Sequence, residues 1–508
     1  MHSICTRLVR RSIPLLAVPL TLALAIPAHA QGSATVSITL NPASPAAVIP
    51  TDFLGVSLEM SSIMAANNTV SGTPWLSGTA TPYGAMLSKI GVKSVRIGGN
   101  SSERQPYAAT ADGNNVEAFA QSIGANLLWT VPAKTFYNAT TATAYVQGLY
   151  NNYTSNGYNF SYTIEVGNEP DNPENLPGSN ISYATWQSEY DTLNHDFRID
   201  VNGSITSSGP AVSGNDSWPN SFSDYSKYQG SLKPSVSFIT QHAYPAGDAA
   251  SFTSVNQGDN KILSSLELST YQNNYNNFGP TAISQGFKPR MEETNSAYGG
   301  SNNGVTNSYA AALWAMDYLC YNAYKTGMAG MNIHTGPIGS DSGSYNPISP
   351  VGTPTSSNGG VYTLEGPGYG MWAFHYGSQG QPIPTTITNS SGVNLTAYGL
   401  LETNGGETVH IINKTFNGGV NDSGPTGLNT ATNVTVKITP GGSYTTAQVL
   451  YLQQANNDVT ATTGITFGGQ PMNSDGTWTG GYGGAFSGNN GVFTISVPYA
   501  QAAIVHFY

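Results

Sequence analysis

Two short stretches of this chain end in acidic side chains at places where a strand must stop. Ile164-Glu165-Val166-Gly167-Asn168-Glu169-Pro170 begins as an apolar strand and breaks off at Asn-Glu-Pro. Proline cannot donate to a sheet ladder, so the Glu169 carboxylate is left at the strand's mouth. Pro289-Arg290-Met291-Glu292-Glu293-Thr294 is a second such run. Neighbours on a strand point to opposite faces, so only one of Glu292 and Glu293 is expected to face inward, and Glu293 is nearer the strand's end. Two carboxyl groups facing one another can hydrolyse a glycosidic bond: one protonates the leaving oxygen, and in a retaining enzyme the other attacks the anomeric carbon from ~5–5.5 Å away. That chemistry calls for no metal and no organic cofactor, and none is expected.

Distant strand ends meet when strands close into a barrel. From Phe53 onward, short apolar runs alternate with helix-length segments, which predicts repeated βα units and a parallel sheet. The strands are expected at Phe53–Met60, Ser94–Gly98, Asn126–Val131, Tyr162–Val166, Ile205–Ser208, Val236–Gln241, Pro289–Glu293 and Met328–Ile333. Eight is the number that closes a (β/α)8 barrel, whose chemistry sits at the C-terminal strand ends. The fifth is short and polar. Helices are expected at Ala184–Phe197 and Ser308–Lys325. From Thr385 the segments shorten, alternate with period two and are separated by Gly, Asn, Pro and Ser, which predicts an antiparallel β-sandwich. The half-buried pattern Thr35–Leu40 precedes the barrel and is assigned to that sandwich. The organisation expected is therefore a signal segment over 1–30, a joining strand over 31–50, a barrel over 51–378 and a sandwich over 379–508.

Arg7, Arg10 and Arg11, the apolar run Ile13–Ile26 and Ala28-His29-Ala30 have the pattern of a cleaved secretory signal, so the product is expected to be secreted or periplasmic and not membrane-bound. Cleavage after Ala30 removes Cys5 and leaves Cys320, which excludes an internal disulfide or a cysteine zinc site. It leaves 14 basic against 28 acidic residues, a balance of −14. Such a surface argues against nucleic acid and highly sulfated polyanions. With only 9% charged residues and 30 tyrosines, the composition suits polar, uncharged material.

Other strand ends add candidates. Glu59 ends the first strand and Asn100 follows the second. Gln241-His242-Ala243-Tyr244 ends the sixth, with His242 and Tyr244 on one face and His242 suited to orienting a partner. Tyr298-Gly299-Gly300 follows Glu293, and glycines there suit a backbone that approaches a ligand closely. His334, Tyr345 and Tyr369 are weaker candidates in and around the Gly336–Gly368 loop, which is long enough to wall a pocket. Trp129 is read as core.

Gly167-Asn168-Glu169-Pro170 on the fourth strand and Glu293 on the seventh resemble the clan of retaining (β/α)8 glycosidases. Glu293-Thr294-Asn295-Ser296-Ala297-Tyr298-Gly299-Gly300, Phe53-Leu54-Gly55-Val56-Ser57-Leu58-Glu59 and Arg96-Ile97-Gly98-Gly99-Asn100 resemble glycoside hydrolase family 79, the β-glucuronidases and heparanases. The resemblance implies that Glu169 is the acid/base and Glu293, not Glu292, the nucleophile. It implies that Asn168 bonds the hydroxyl beside the anomeric centre, Glu59 an outer hydroxyl, and Arg96 keeps the nucleophile ionised. Glu169 must then hold a proton, which calls for apolar or anionic surroundings. The family reads a sugar carboxylate through a tyrosine and backbone N–H groups just after the nucleophile, which Tyr298-Gly299-Gly300 matches.

The expected activity is exo-acting removal of terminal β-glucuronic acid by a monomer, because the basic clusters of an endo-acting heparanase are missing. An arabinofuranosidase, a xylanase or another retaining enzyme of the clan would fit if Tyr298-Gly299-Gly300 is only a turn. A secreted, non-catalytic carbohydrate-binding protein is the reading from another class, and the intact carboxylate pair argues against it.

Overall fold

The computed structural model describes residues 32–64, 76, 82–104, 107–134, 136–173, 181–214, 217–228, 235–299, 303–335, 345–350 and 361–508. The expected signal segment, Gly300 and most of the 336–368 loop lie outside them.

The first strand, β1 (Gly32–Leu40), precedes the barrel. β2 (Leu54–Glu59), β3 (Ser94–Gly98), β4 (Asn126–Val131), β5 (Tyr162–Val166), β6 (Thr206–Val212), β7 (Val236–Ala243), β8 (Lys288–Thr294) and β9 (Gly330–Thr335) then form a closed barrel in chain order. All are parallel, and β9 closes on β2 with Leu54 opposite Met331. β2, β3, β5 and β9 are buried along their whole length, as parallel strands covered by helices outside and packed side chains inside must be.

The fifth barrel strand, β6, starts one residue later than expected and runs four residues past Ser208, to Val212. Its polarity is satisfied on both faces. Ser207 bonds Tyr190 and Asn194 of the outer helix Tyr183–Asp196, and Ser208 bonds Glu292 within the barrel. The eighth strand starts at Gly330 rather than Met328.

A short ribbon, β10 (Ile348–Pro350) with β11 (Tyr362–Leu364), leads to a helix over Gly366–Tyr376 that the sequence reading missed. Its glycines conceal it, yet they let it lie against helix Tyr309–Lys325: a Cβ on Gly370 would sit 2.3 Å from the Ala312 carbonyl oxygen.

The β domain has two sheets. β12 (Gly380–Ile383), β13 (Thr385–Thr388), β14 (Leu395–Glu402), β15 (Glu407–Asn413), β16 (Thr432–Thr439), β17 (Thr446–Gln454), β18 (Ile465–Phe467), β19 (Phe486–Ser487), β20 (Phe493–Val497) and β21 (Gln501–Phe507) supply them with β1. One sheet runs β13-β1-β16-β20, the other β12-β14-β15-β21-β17-β18, with β19 on β17. The sandwich is antiparallel except that β1 lies parallel to β16, Val36 opposite Val436. Val36, Ile38, Ile411, Val436 and Val505 fill the space between the sheets.

The domain is docked onto helix Tyr309–Lys325. There Asp317 takes an ion pair from Lys414 at 2.6 Å and hydrogen bonds from Thr396 and Tyr398.

Candidate active site

Glu169 sits just past the end of β5, where the backbone makes two unusual turns. Gly167 has φ +84°, and a Cβ there would lie 2.8 Å from that of Ala133. Glu169 itself has φ +47°, a left-handed conformation that costs a non-glycine residue energy and persists only when its surroundings fix it. Two contacts do so. The Glu169 N–H donates to the Ala211 carbonyl at 2.9 Å, and the preceding N–H of Asn168 donates to Glu103 at 2.9 Å. Glu103 is wholly buried and also accepts from the backbone N–H groups of Ala133 and Lys134, both at 3.0 Å, so its charge is matched by three donors. This clamp ties the loops after β3, β4 and β5 together. The Glu169 carboxyl lies 3.1 Å from His242 Nδ1 and accepts from the Asn172 side chain at 3.0 Å.

Glu293 ends β8. Tyr244 donates its hydroxyl to Oε1 and Arg96 donates Nη1 to Oε2, each at 2.8 Å, and His334 Nδ1 is 3.5 Å from Oε2. Burial works against the charged carboxylate, but His334, His242, Arg96 and the Tyr244 hydroxyl outweigh it and hold Glu293 down to about 2. Conversely, burial opposes a charge on His334, while Glu293 and Glu59 raise it. Glu59 accepts from the Ser101 N–H at 3.0 Å and from its hydroxyl, and lies 3.6 Å from His334 Nε2. Burial pushes its carboxyl up, and His334 and Ser101 more than reverse that.

The two acids meet. One carboxylate oxygen each of Glu169 and Glu293 and a His242 ring nitrogen lie within 4.8 Å of one another. Among the described residues these three also form the one group of acids and histidines spaced to hold a metal ion. The acids face a cavity of about 550 Å³ at the barrel mouth. Glu59, Asn100, Tyr244, Tyr298 and Gly299, all anticipated from sequence, line it too.

Asn168, His242 and Arg96 are fully buried behind its wall instead. His242 reaches the cavity through Glu169, and the Asn168 amide oxygen is taken by Arg96 Nη2 at 2.9 Å. Tyr298 stands at the rim, 51% exposed, with its N–H already donated to Gly247 at 2.9 Å, so that N–H is not open to a sugar carboxylate. Gly299 has the positive φ, +79°, that its place at the rim requires. Gly300 lies outside the described residues. The surroundings of Glu169 are anionic and polar rather than apolar, with Glu293 facing it and Asp171 close by.

His334 and Tyr345 line the cavity, whereas Tyr369 is buried and bonds the Met472 N–H in the β domain. Trp129 is core. Sequence reading missed Arg104, Asn172 and Ser213 on the wall. Asn172 had a signal, since it follows Glu169 by three residues, the spacing of a single turn. Glu103 had none beyond being an ordinary acid in Ser101-Ser102-Glu103-Arg104.

Residues 397–504 match the glycosyl hydrolase family 79 C-terminal beta domain. No curated protein sequence matches the chain. Among solved structures, a 4-O-α-L-rhamnosyl-β-D-glucuronidase from Fusarium oxysporum 12S is similar over 92% of this chain and 99% of its own, at 18% identity and a TM-score of 0.67. A family 51 arabinofuranosidase from Xanthomonas axonopodis pv. citri covers 94% and 100%, at 12% and 0.64. A family 30 subfamily 8 xylanase from Clostridium acetobutylicum covers 93% and 99%, at 13% and 0.54. These likenesses carry the fold: a parallel barrel bearing a β domain. The family 79 resemblance read from the strand ends is met by a match to the family 79 C-terminal beta domain over residues 397–504.

Proposed function

We propose that this protein is an exported, retaining exo-β-glucuronidase that acts as a monomer on glycans or glycosides ending in β-D-glucuronic acid. The observation that carries the retaining mechanism is the approach of Glu169 and Glu293 oxygens to within 4.8 Å across one cavity. That is the spacing for direct attack, since a water-mediated inversion needs ~6.5–9.5 Å. Glu293, ionised and oriented by Arg96 and Tyr244, attacks the anomeric carbon. Glu169 gives its proton to the departing oxygen, and His242 and Asn172 hold its carboxyl in place. Glu169 then takes a proton from the water that releases the sugar from Glu293.

Glucuronic acid as the substrate rests on the family 79 match, on the printed activity of the Fusarium structure, and on Tyr298 and Gly299 at the rim. With the Tyr298 N–H occupied, the Tyr298 hydroxyl and the Gly299 N–H are the groups left to meet the sugar carboxylate. Export rests on the N-terminal pattern of arginines, apolar run and Ala-His-Ala.

A second reading has its own support. Glu59, Glu169 and Glu293 give the cavity an acidic wall with Arg104 as its one lysine or arginine among the described residues, which suits a neutral pentose as in the arabinofuranosidase and xylanase neighbours. A panel of nitrophenyl glycosides separates the two. The proposal expects turnover of the β-glucuronide alone; preferential release from the arabinofuranoside or xyloside overturns it. Mass spectrometry of the exported product is expected to find Gln31 at its N-terminus.

A further inference from the structure

Regular alternation would send Glu292 and Glu293 to opposite faces of β8, but both point into the barrel. Gln241 of β7 pairs with Met291, and the next residue, His242, pairs with Glu293. On the other side, Met291 to Thr294 spans three steps while Met331 to Ile333 on β9 spans two. Glu292 is therefore the extra residue of a β-bulge, a device that re-aims side chains beside functional sites. Glu293 opens to the cavity. Glu292 is fully buried in the barrel interior, where it meets Ser208 of β6 and Glu165 of β5.

Glu165 and Glu292 are close enough to interact directly, although a carboxylate has only acceptors. Oε2 of Glu165 accepts from Thr130 at 2.6 Å and from Arg96 Nε at 2.8 Å, with Arg96 Nη2 in an ion pair at 2.6 Å. Oε2 of Glu292 accepts from Ser208 at 3.4 Å. The remaining oxygen of each, Oε1, is buried and receives no donor from any described residue. Two ionised, wholly buried carboxylates side by side are untenable, and one proton held by the pair resolves the clash. Glu165 has the cation and the hydroxyl, so it is the anion. Glu292 is the acid, and burial with the Glu165 charge beside it pushes its carboxyl up. The other charged or titratable groups facing the pair are Arg96 of β3, Arg290 of β8 itself and His242 of β7.

Arg96 links this pair to the mouth, since it donates to Glu165, Glu293, Asn168 and Ser57. When the sugar is bonded to Glu293, that carboxylate loses its charge, and Glu165 is the anion that remains beside the buried guanidinium. We infer that Glu292 is a permanently protonated acid whose proton is shared with Glu165, and that this pair is a positioning device holding Arg96 in place, against Asn168 and Glu293, through both halves of the reaction. The inference rests on Glu293 being the nucleophile.

The test compares variants that keep the shared hydrogen bond with variants that break it, in kcat, KM and pH profile. Glu292→Leu is expected to lower kcat about tenfold to a hundredfold through displacement of Arg96, with KM little changed. Glu292→Gln is expected to restore most of that loss, because an amide donates to Glu165 as the neutral acid does. Glu165→Gln is not expected to recover what Glu165→Leu loses, because both lack the anion, and its pH profile should gain an ionisation as Glu292 becomes free to charge. Equal defects in Glu292→Gln and Glu165→Gln, or an unaltered pH profile in Glu165→Gln, overturn the inference. Infrared difference spectra give an arm independent of turnover: a protonated carboxyl carbonyl stretch at neutral pH that is present in the wild type and lost in Glu292→Gln supports the shared proton, and its absence from the wild type refutes it. If the enzyme prefers a pentoside to a glucuronide, the substrate assignment fails while the variant comparison is read on the pentoside. If no glycoside is turned over, the infrared arm decides alone.

Discussion

The seam between barrel and β domain and the mouth of the barrel both bury a cation against carboxylates and hydroxyls. At the seam Lys414 meets Asp317 at 2.6 Å, and the other Asp317 oxygen takes both the Thr396 and Tyr398 hydroxyls. One positive charge meets one negative charge, and both side chains are 1% exposed. At the mouth Arg96 meets Glu165 and Glu293 together, with Glu292 behind and Glu59 across His334. There the acids outnumber the arginine, and two of them, Glu59 and Glu293, border a cavity. The seam is balanced and closed, as a structural ion pair must be. The mouth is over-supplied with acid and open on one side, which leaves Glu293 charged, oriented and accessible. The lesson is that burial of an ion pair says little about its role until the charges around it are counted.

The largest effect expected from this contrast is at Glu293. Glu293→Gln should cut turnover by at least about 10^4-fold, as loss of a reacting group does, while the melting temperature near neutral pH falls because the ionised carboxylate paired with Arg96 and Tyr244 is gone. Thermal melts and kinetics on one preparation check both halves. Next is Glu169→Ala, which should cost about 10^2 to 10^4-fold on substrates with poor leaving groups and far less on activated ones, with azide restoring activity on the activated substrates. Equal losses on both kinds of substrate would contradict the acid role.

The seam should behave the opposite way. Lys414→Met strands Asp317 and should destabilise the protein by about 3–5 kcal/mol in denaturant unfolding, while kcat/KM at a temperature where it remains folded stays near that of the wild type. The smallest effect is in pH. The folded chain depresses Glu293 from 4.5 to about 2, so the stabilisation it contributes is complete above its unfolded value and is lost as pH falls through that window. Unfolding measured across that range should show Glu293→Gln losing less stability than the wild type.

What was legible in the chain follows the same division. The barrel strands could be read because apolar runs of strand length recur between helices, and Glu169 and Glu293 because each ends such a run. Alternation failed at Glu292, since a bulge leaves no mark in a run of two identical residues. β6 looked poor as a strand because Ser207 and Ser208 are satisfied by partners from other elements, which no local pattern records. Helix Gly366–Tyr376 was hidden by glycines that serve close packing rather than turns. Glu103 was invisible because its value lies in three backbone donors brought from two other loops. Asn168 and His242 were found as residues but their depth was not, because strand periodicity gives a side chain's face and not its burial.

The central claim is that Glu293 becomes bonded to the sugar. Brief incubation with a 2-deoxy-2-fluoro-β-glucuronyl fluoride, followed by proteolysis and mass spectrometry, reads this directly. A sugar adduct on the peptide spanning Arg290–Tyr298, localised to Glu293 and absent from Glu293→Gln, is the predicted result. An adduct on Glu292 or elsewhere, or turnover of the reagent with no adduct and an inverted product, would contradict it.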